Sequence, residues 1–195
     1  MKISSFLAGL ILLAACNNDS KKVTVTDEET GTKTTMDAPV TSEKAANNFE
    51  EKVKELQALA PMSLEDMKAL LPESLAGAAR SDMNVQNAMG ASFASAKYKI
   101  NDNTSVELGI FDCAGPAGAG IYSMQFLTLM NFQQESETEM TRTVDFNGSK
   151  AIERAKKDGR ESSFHWFAKD RFLVSLEGEN MKVEELRELA GSMKF

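Results

Sequence analysis

The chain predicts an α+β domain: an antiparallel β-sheet laid down as a meander, with helices packed on it, in the order α-α-β-β-α-β-β-β-β-α. Three observations carry that expectation. Asn147-Gly148 and Asp158-Gly159 are successive two-residue hairpin signals, because the turn that best fits twisted strands needs positive φ. The segments around them alternate apolar and polar residues at the period of a strand. Before and after this block, apolar residues recur at three- and four-residue spacing, the period of a helix.

The N-terminus is a separate unit. Met1-Lys2 is a short positive start, and residues 3–13 are mostly apolar apart from Ser4 and Ser5. Such a run is a secretory signal and too short to span a bilayer. It ends in Leu13-Ala14-Ala15-Cys16, which resembles the lipobox of bacterial lipoproteins: an aliphatic residue, two small residues, then the cysteine. The resemblance covers residues 1–16 only. It implies that residues 1–15 are removed, that Cys16 is diacylated, and that the protein is held on a membrane of the bacterial cell envelope. Asn17 follows the cysteine, where an Asp would retain a lipoprotein at the inner membrane of enteric bacteria, so the outer membrane is favoured. The mature chain would have 180 residues, fifteen fewer than the full 195.

Residues 16–41 read as the lipidated cysteine and a polar tether, and residues 42–195 as one globular domain. The tether, if extended, reaches on the order of 80 Å. Within it, two Thr/Val-rich stretches flank Thr30-Gly31, the pattern of a hairpin over residues 22–36. An isolated hairpin is marginal in water, so it would form only by adding to a sheet; tether is the reading favoured here.

From Ser42 the pattern is helical. Ala45, Phe49, Val53, Leu56 and Ala60 share a face, and Pro61 ends the helix. Ser63 to Asp66 resembles a capping box, and Leu64, Met67, Leu70 and Leu71 make a second, shorter apolar face that Pro72 closes. Residues 91–100 and 105–112 are strand-like, separated by the turn residues Asn101-Asp102-Asn103. A glycine-rich segment, Cys113 to Gly120, leads into residues 121–134, which are apolar nearly all round and free of Gly and Pro. That favours a helix buried on several sides. The meander follows as strands 139–146, 149–156, 161–168 and 171–177. Val183, Leu186, Leu189, Ala190 and Met193 mark a C-terminal helix.

Chemistry is thinly represented. Cys113 lies between a strand and a helix start, and His165, the one histidine, could serve as its base if the fold brought the two together, against an inert buried thiol as the simpler reading. Gly115, Gly118 and Gly120 match neither the dinucleotide fingerprint nor the Walker pattern. The acidic clusters lack the alternating oxygen ligands of a calcium loop, and one His with one free Cys is too little for zinc. No catalytic set, metal or cofactor is expected. Without residues 1–15 the chain has one lysine fewer than its 22 basic residues, so 21 face 29 acidic ones at a formal charge of −8. That argues against nucleic acid and against electrostatic adhesion to anionic lipid. With Cys16 acylated, only Cys113 remains and no internal disulfide forms.

The expected function is a membrane-anchored, non-enzymatic binding domain whose partner is a protein or a hydrophobic ligand. Eleven methionines suit an adaptable pocket. Ile121, Met124, Leu127 and Met130 are the candidate pocket lining, which would make the protein a lipid carrier.

Overall fold

Asn147 and Gly148 both adopt positive φ, 49° and 77°, the geometry that lets two right-twisted strands fold back on each other. The structure, a computed structural model, describes residues 22–27, 31–37, 43–126 and 132–193. Around the tight turns the chain forms β1 (Lys22–Thr26), β2 (Lys33–Asp37), α1 (Glu43–Ala58), α2 (Leu64–Ala69), β3 (Ser74–Leu75), β4 (Ala78–Ala88) and β5 (Ala91–Lys99). Then come β6 (Ser105–Asp112), α3 (Gly115–Phe126), β7 (Phe132–Glu135), β8 (Glu139–Phe146), β9 (Ser149–Lys156), β10 (Glu161–Ala168), β11 (Phe172–Glu179) and α4 (Val183–Ser192). The strands make one 11-stranded sheet in the order β1-β2-β7-β8-β9-β10-β11-β6-β5-β4-β3. All neighbours are antiparallel. Two meanders, β3 to β6 and β7 to β11, meet along the β6–β11 seam, which runs from Asp112↔Phe172 to Ser105↔Glu179.

Strand alternation divides the core between the two sheet faces. On one face Val106, Leu108, Ile110, Phe164, Trp166, Val174 and Leu176 pack with Met67 and Leu71 from the α2 region and with Leu186 and Ala190 of α4. On the other, Phe111, Phe167 and Leu173 meet Leu56 of α1, Ala119 and Tyr122 of α3, and Cys113. Ser63 caps α2 as its sequence implies: its hydroxyl accepts from the Asp66 N–H at 3.1 Å and donates to the Asp66 carboxylate at 2.8 Å. The far end of α2 is held from the sheet, where the Arg80 guanidinium donates to the Leu71 carbonyl and the Tyr98 hydroxyl to that of Pro72, at 2.7 and 2.8 Å.

The α+β class, the antiparallel meander and the side-chain phase of its strands agree with the sequence reading. Three expectations are corrected. Within the segment read as a tether, residues 22–26 and 33–37 are strands, because β2 finds a partner in β7 and the hairpin extends a sheet. The run 121–134 is not one helix: α3 starts earlier, at Gly115, and residues 132–135 are β7. Strands β3 and β4 are not foreshadowed by the sequence; β4 is mostly exposed and polar, with no buried face to set a pattern.

Two glycines of α3 test this packing. A Cβ on Gly118 would sit 2.4 Å from the Cys113 carbonyl carbon and 2.7 Å from the Asp112 oxygen, both backbone atoms, whereas one on Gly120 would meet nothing within 4 Å. Gly118→Ala should cost about 3 kcal/mol, from overpacking that cannot relax. Gly120→Ala should stabilise the protein by up to about 1 kcal/mol through helix propensity. Chemical denaturation midpoints of the two variants check this, and equal shifts would contradict the close approach.

Candidate functional site

The carboxylate of Asp112, at the end of β6, is fully buried. Oδ1 accepts from Arg171 Nε at 2.8 Å and from the Ala114 N–H at 3.1 Å. Oδ2 accepts from Arg171 Nη2 at 2.9 Å and from the Met62 N–H at 2.7 Å. Four donors fill both oxygens. Burial by itself would raise the Asp112 carboxyl, but the guanidinium and the two backbone N–H groups outweigh it and hold the group below its ordinary value. Arg171 Nη2 also donates to the Ala60 carbonyl at 2.8 Å, and the Arg171 carbonyl accepts from the Cys113 N–H at 2.9 Å. This clamp joins the end of β6, the α1–α2 linker, the β10–β11 turn and the start of α3.

Cys113 is buried. Burial pushes its thiol up to about 12, the nearby Asp112 charge adds to this, and a hydrogen bond with the Leu173 backbone offsets part of it. At neutral pH the group is a protonated thiol, which is not nucleophilic. His165 lies on the same sheet face but in another row, opposite Ser175 and through it Gly109. Cys113 is four residues beyond Gly109, so the two are separated by two strand spacings, roughly 10 Å, and by roughly 13 Å along the strands. The structure does not bring them together. Burial, and to a lesser degree the Arg154 charge, lower the His165 pKa and favour the neutral imidazole. Among the described residues no three His, Cys, Asp or Glu side chains converge as metal ligands.

The expected pocket-lining residues fare unevenly. Ile121 and Met124 are exposed, Met124 at 73%, while Leu127 and Met130 lie outside the described residues. Helix α3 buries Ala119 and Tyr122 instead, with Tyr122 tilted on Phe167 at 4.8 Å between ring centroids. At the described positions the expectation of burial on several sides is corrected: Ala119 and Tyr122 face the sheet, while Ile121 and Met124 look outward. A separate open groove of about 490 Å³ lies between the end of α2, the β3–β4 turn and the end of α4. It is lined by Leu70, Pro72, Leu75, Leu189 and Met193 with Ser74 and Ser192, and by no ionisable side chain.

Glu153 of β9 is the second fully buried carboxylate. Arg142 Nε of β8 donates to its Oε2 at 2.9 Å, and Arg187 of α4 reaches Oε1 through Nε and Nη2. Sequence reasoning missed both carboxylates and their arginines. A signal was present: Asp112 continues the inward phase of Val106, Leu108 and Ile110, and Glu153 that of Ala151. An acid at an inward strand position implies a cation supplied by another element.

Removing the guanidinium from Asp112 should be expensive, because a buried carboxylate is left uncompensated. Arg171→Ala should cost about 3 to 5 kcal/mol in denaturant unfolding, and Arg171→Lys, which loses the two-pronged geometry, a part of that. The pH dependence follows from the two lowered pKa values. The unfolded chain protonates His165 near its ordinary 6.5 while the folded one resists, so that share of stability is complete above 6.5 and is lost as pH falls through the folded value. The Asp112 share is present above its ordinary 3.8 and is lost only as pH falls through its lower folded value. Thermal melts from pH 8 downward should show the first loss in the parent and not in His165→Gln; an unchanged slope in that variant would refute the assignment.

No known protein family, curated protein or solved structure matches the chain, so a functional reading rests on its residues and their geometry.

Proposed function

We propose that this protein is a lipoprotein of the bacterial cell envelope, held by acyl chains on Cys16 at the outer membrane in preference to the inner one, whose folded domain binds a partner and performs no covalent chemistry. The observation that carries the reading is Leu13-Ala14-Ala15-Cys16 at the end of a short apolar run. Covalent lipid suits a chain in which no helix among the described residues is long and apolar enough to cross a membrane. Two or more acyl chains make such an anchor stable. The first strand begins at Lys22, so the link from Cys16 is only about 20 Å when fully extended. The domain would work close to the bilayer.

Binding is favoured over catalysis by the state of the reactive groups. The one buried thiol is held protonated and far from the one imidazole, and Asp112 is saturated with donors. The groove between α2 and α4 supports hydrophobic-ligand binding as a second reading, since its volume of about 490 Å³ falls in the range of small-molecule clefts.

Metabolic labelling with a palmitate analogue tests the anchor: the parent should carry label on a gel and Cys16→Ser should not. An unlabelled parent, or equal labelling of both, would refute it. Sucrose-gradient fractionation should place the labelled parent with the outer membrane. The native protein should also react negligibly at neutral pH with a thiol reagent, while the denatured protein reacts at the rate of free cysteine; fast native labelling of Cys113 would reopen the enzymatic reading.

A further inference from the structure

From the buried carboxylate of Glu153 and its two guanidiniums we infer an oxyanion-binding site, formed by Arg142 and Arg187 and extended by a strip of hydrogen-bonding side chains across β7, β2 and β1. Its ligand class is a carboxylate or phosphate carried on a hydroxyl-rich molecule, such as a sugar acid or a sugar phosphate. The inference deepens the binding reading and rests on it, but is independent of the lipid anchor.

Charge is the first argument. One guanidinium would neutralise Glu153; the second leaves the cluster at net +1 in a chain whose formal charge is −7. Glu153 is wholly inaccessible, whereas the Arg142 and Arg187 side chains are 38% and 37% exposed. The carboxylate is thus spent on orienting the two cations, and the excess charge faces solvent. Arg142 uses only Nε on Glu153, so its two terminal nitrogens retain donors in the planar fork that matches an oxyanion. Glu184 and Glu188 share α4 with Arg187, and among the described residues the ion pairs of Arg187 and Arg142 run to Glu153 alone.

Position is the second argument. Arg142 stands opposite Gln133 across β7–β8, Gln133 opposite Thr35, and Thr35 opposite Thr24. These four face the same side of the sheet, one strand spacing of about 4.8 Å apart. The Thr24 and Thr35 hydroxyls are 3.0 Å from each other. On this side α4 packs on β9, β10 and β11 and α2 on β4 and β5, so the strip lies on the wing beyond them, with Thr24 and Gln133 exposed. A guanidinium pair followed by an amide and two hydroxyls matches an anionic head and a polyhydroxylated body.

The test is a titration of the full-length protein with inorganic phosphate, sodium glucuronate, neutral glucose and sodium chloride, at matched ionic strength. The Nε–H resonances of Arg142 and Arg187 are followed by NMR, and the thermal midpoint is recorded in parallel. Saturable shifts of both resonances and a raised midpoint with phosphate or glucuronate, absent with chloride and glucose, are expected. A phosphate response alone assigns the sugar-phosphate source, and a stronger glucuronate response the sugar acid. Arg142→Lys keeps a cation beside Glu153 and should fold, yet should weaken binding by roughly tenfold through loss of the fork. Gln133→Ala should weaken glucuronate and leave phosphate unchanged. Shifts that chloride reproduces, or saturable binding unaffected in Arg142→Lys, would overturn the proposal. Palmitate labelling and this titration read different residues, so either reading can fail alone.

Discussion

The Asp112–Arg171 pair is the constraint around which the rest is arranged. Taking a carboxylate and a guanidinium out of water costs several kcal/mol per ion, and their attraction repays that only when the remaining hydrogen-bonding capacity is also used. Here it is used fully: both oxygens of Asp112 are doubly occupied, by Arg171 and by two backbone N–H groups that belong to different segments. The pair therefore does more than cancel charge. It fixes where the α1–α2 linker passes the end of the sheet, from the face covered by α1 to the face covered by α2, and where the chain leaves β6 to begin α3. Each of those segments would otherwise carry an unpaired polar group into a buried site.

The two faces of the sheet solve their packing differently. The α2–α4 face is filled by large side chains, with Phe146, Phe164 and Trp166 in mutual edge and tilted contacts at 4.9 to 5.8 Å. Where α4 enters, bulk gives way: a Cβ on Gly178 would lie 2.9 Å from Met181 Cβ and 3.1 Å from Leu186 Cδ2, so the helix can approach only because that position is glycine. The α1–α3 face has small residues where α3 starts, with Gly118 and Ala119 of the helix seated against Cys113. That accounts for the inert thiol. It fills a small apolar volume at the base of a tightly seated helix, and the same burial raises its pKa.

Much of the fold is legible in the residues, for identifiable reasons. The four strands β8 to β11 are announced by turns whose chemistry is local, and the alternation is sharpest in β10 and β11, where each strand has one buried face. The β1–β2 hairpin is not decidable locally: its Thr/Val stretches suit a strand, but their stability depends on β7, whose first three residues end a run that resembles a helix. β4 is illegible for the opposite reason, being covered on its outer side only by the two-residue β3, with a bulge between Ser81 and Met83 and mostly polar side chains. Its turn, Met89-Gly90, puts a methionine at φ 54° where Asn or Asp is the usual choice. The site follows the same logic. Cys113 and His165 drew notice by rarity, yet the groups that converge are common charged residues placed at inward strand positions, and convergence across β6, the β10–β11 turn and the α1–α2 linker has no sequence spacing to betray it.

The seam between β6 and β11 has a kinetic meaning. Within each meander every strand pairs with its neighbour in sequence, so loop closure is short and both halves can organise early. The seam joins residues as far apart as Ser105 and Glu179, and both of its inner faces are core. Until it closes, each half presents a bare strand edge above exposed Val106, Leu108, Val174 and Leu176. Such edges recruit any extended chain nearby. The interval before β6 meets β11 is when a second copy competes with the chain's own other half. The slow step of folding and the opportunity for strand exchange then lie at one and the same line in the sheet.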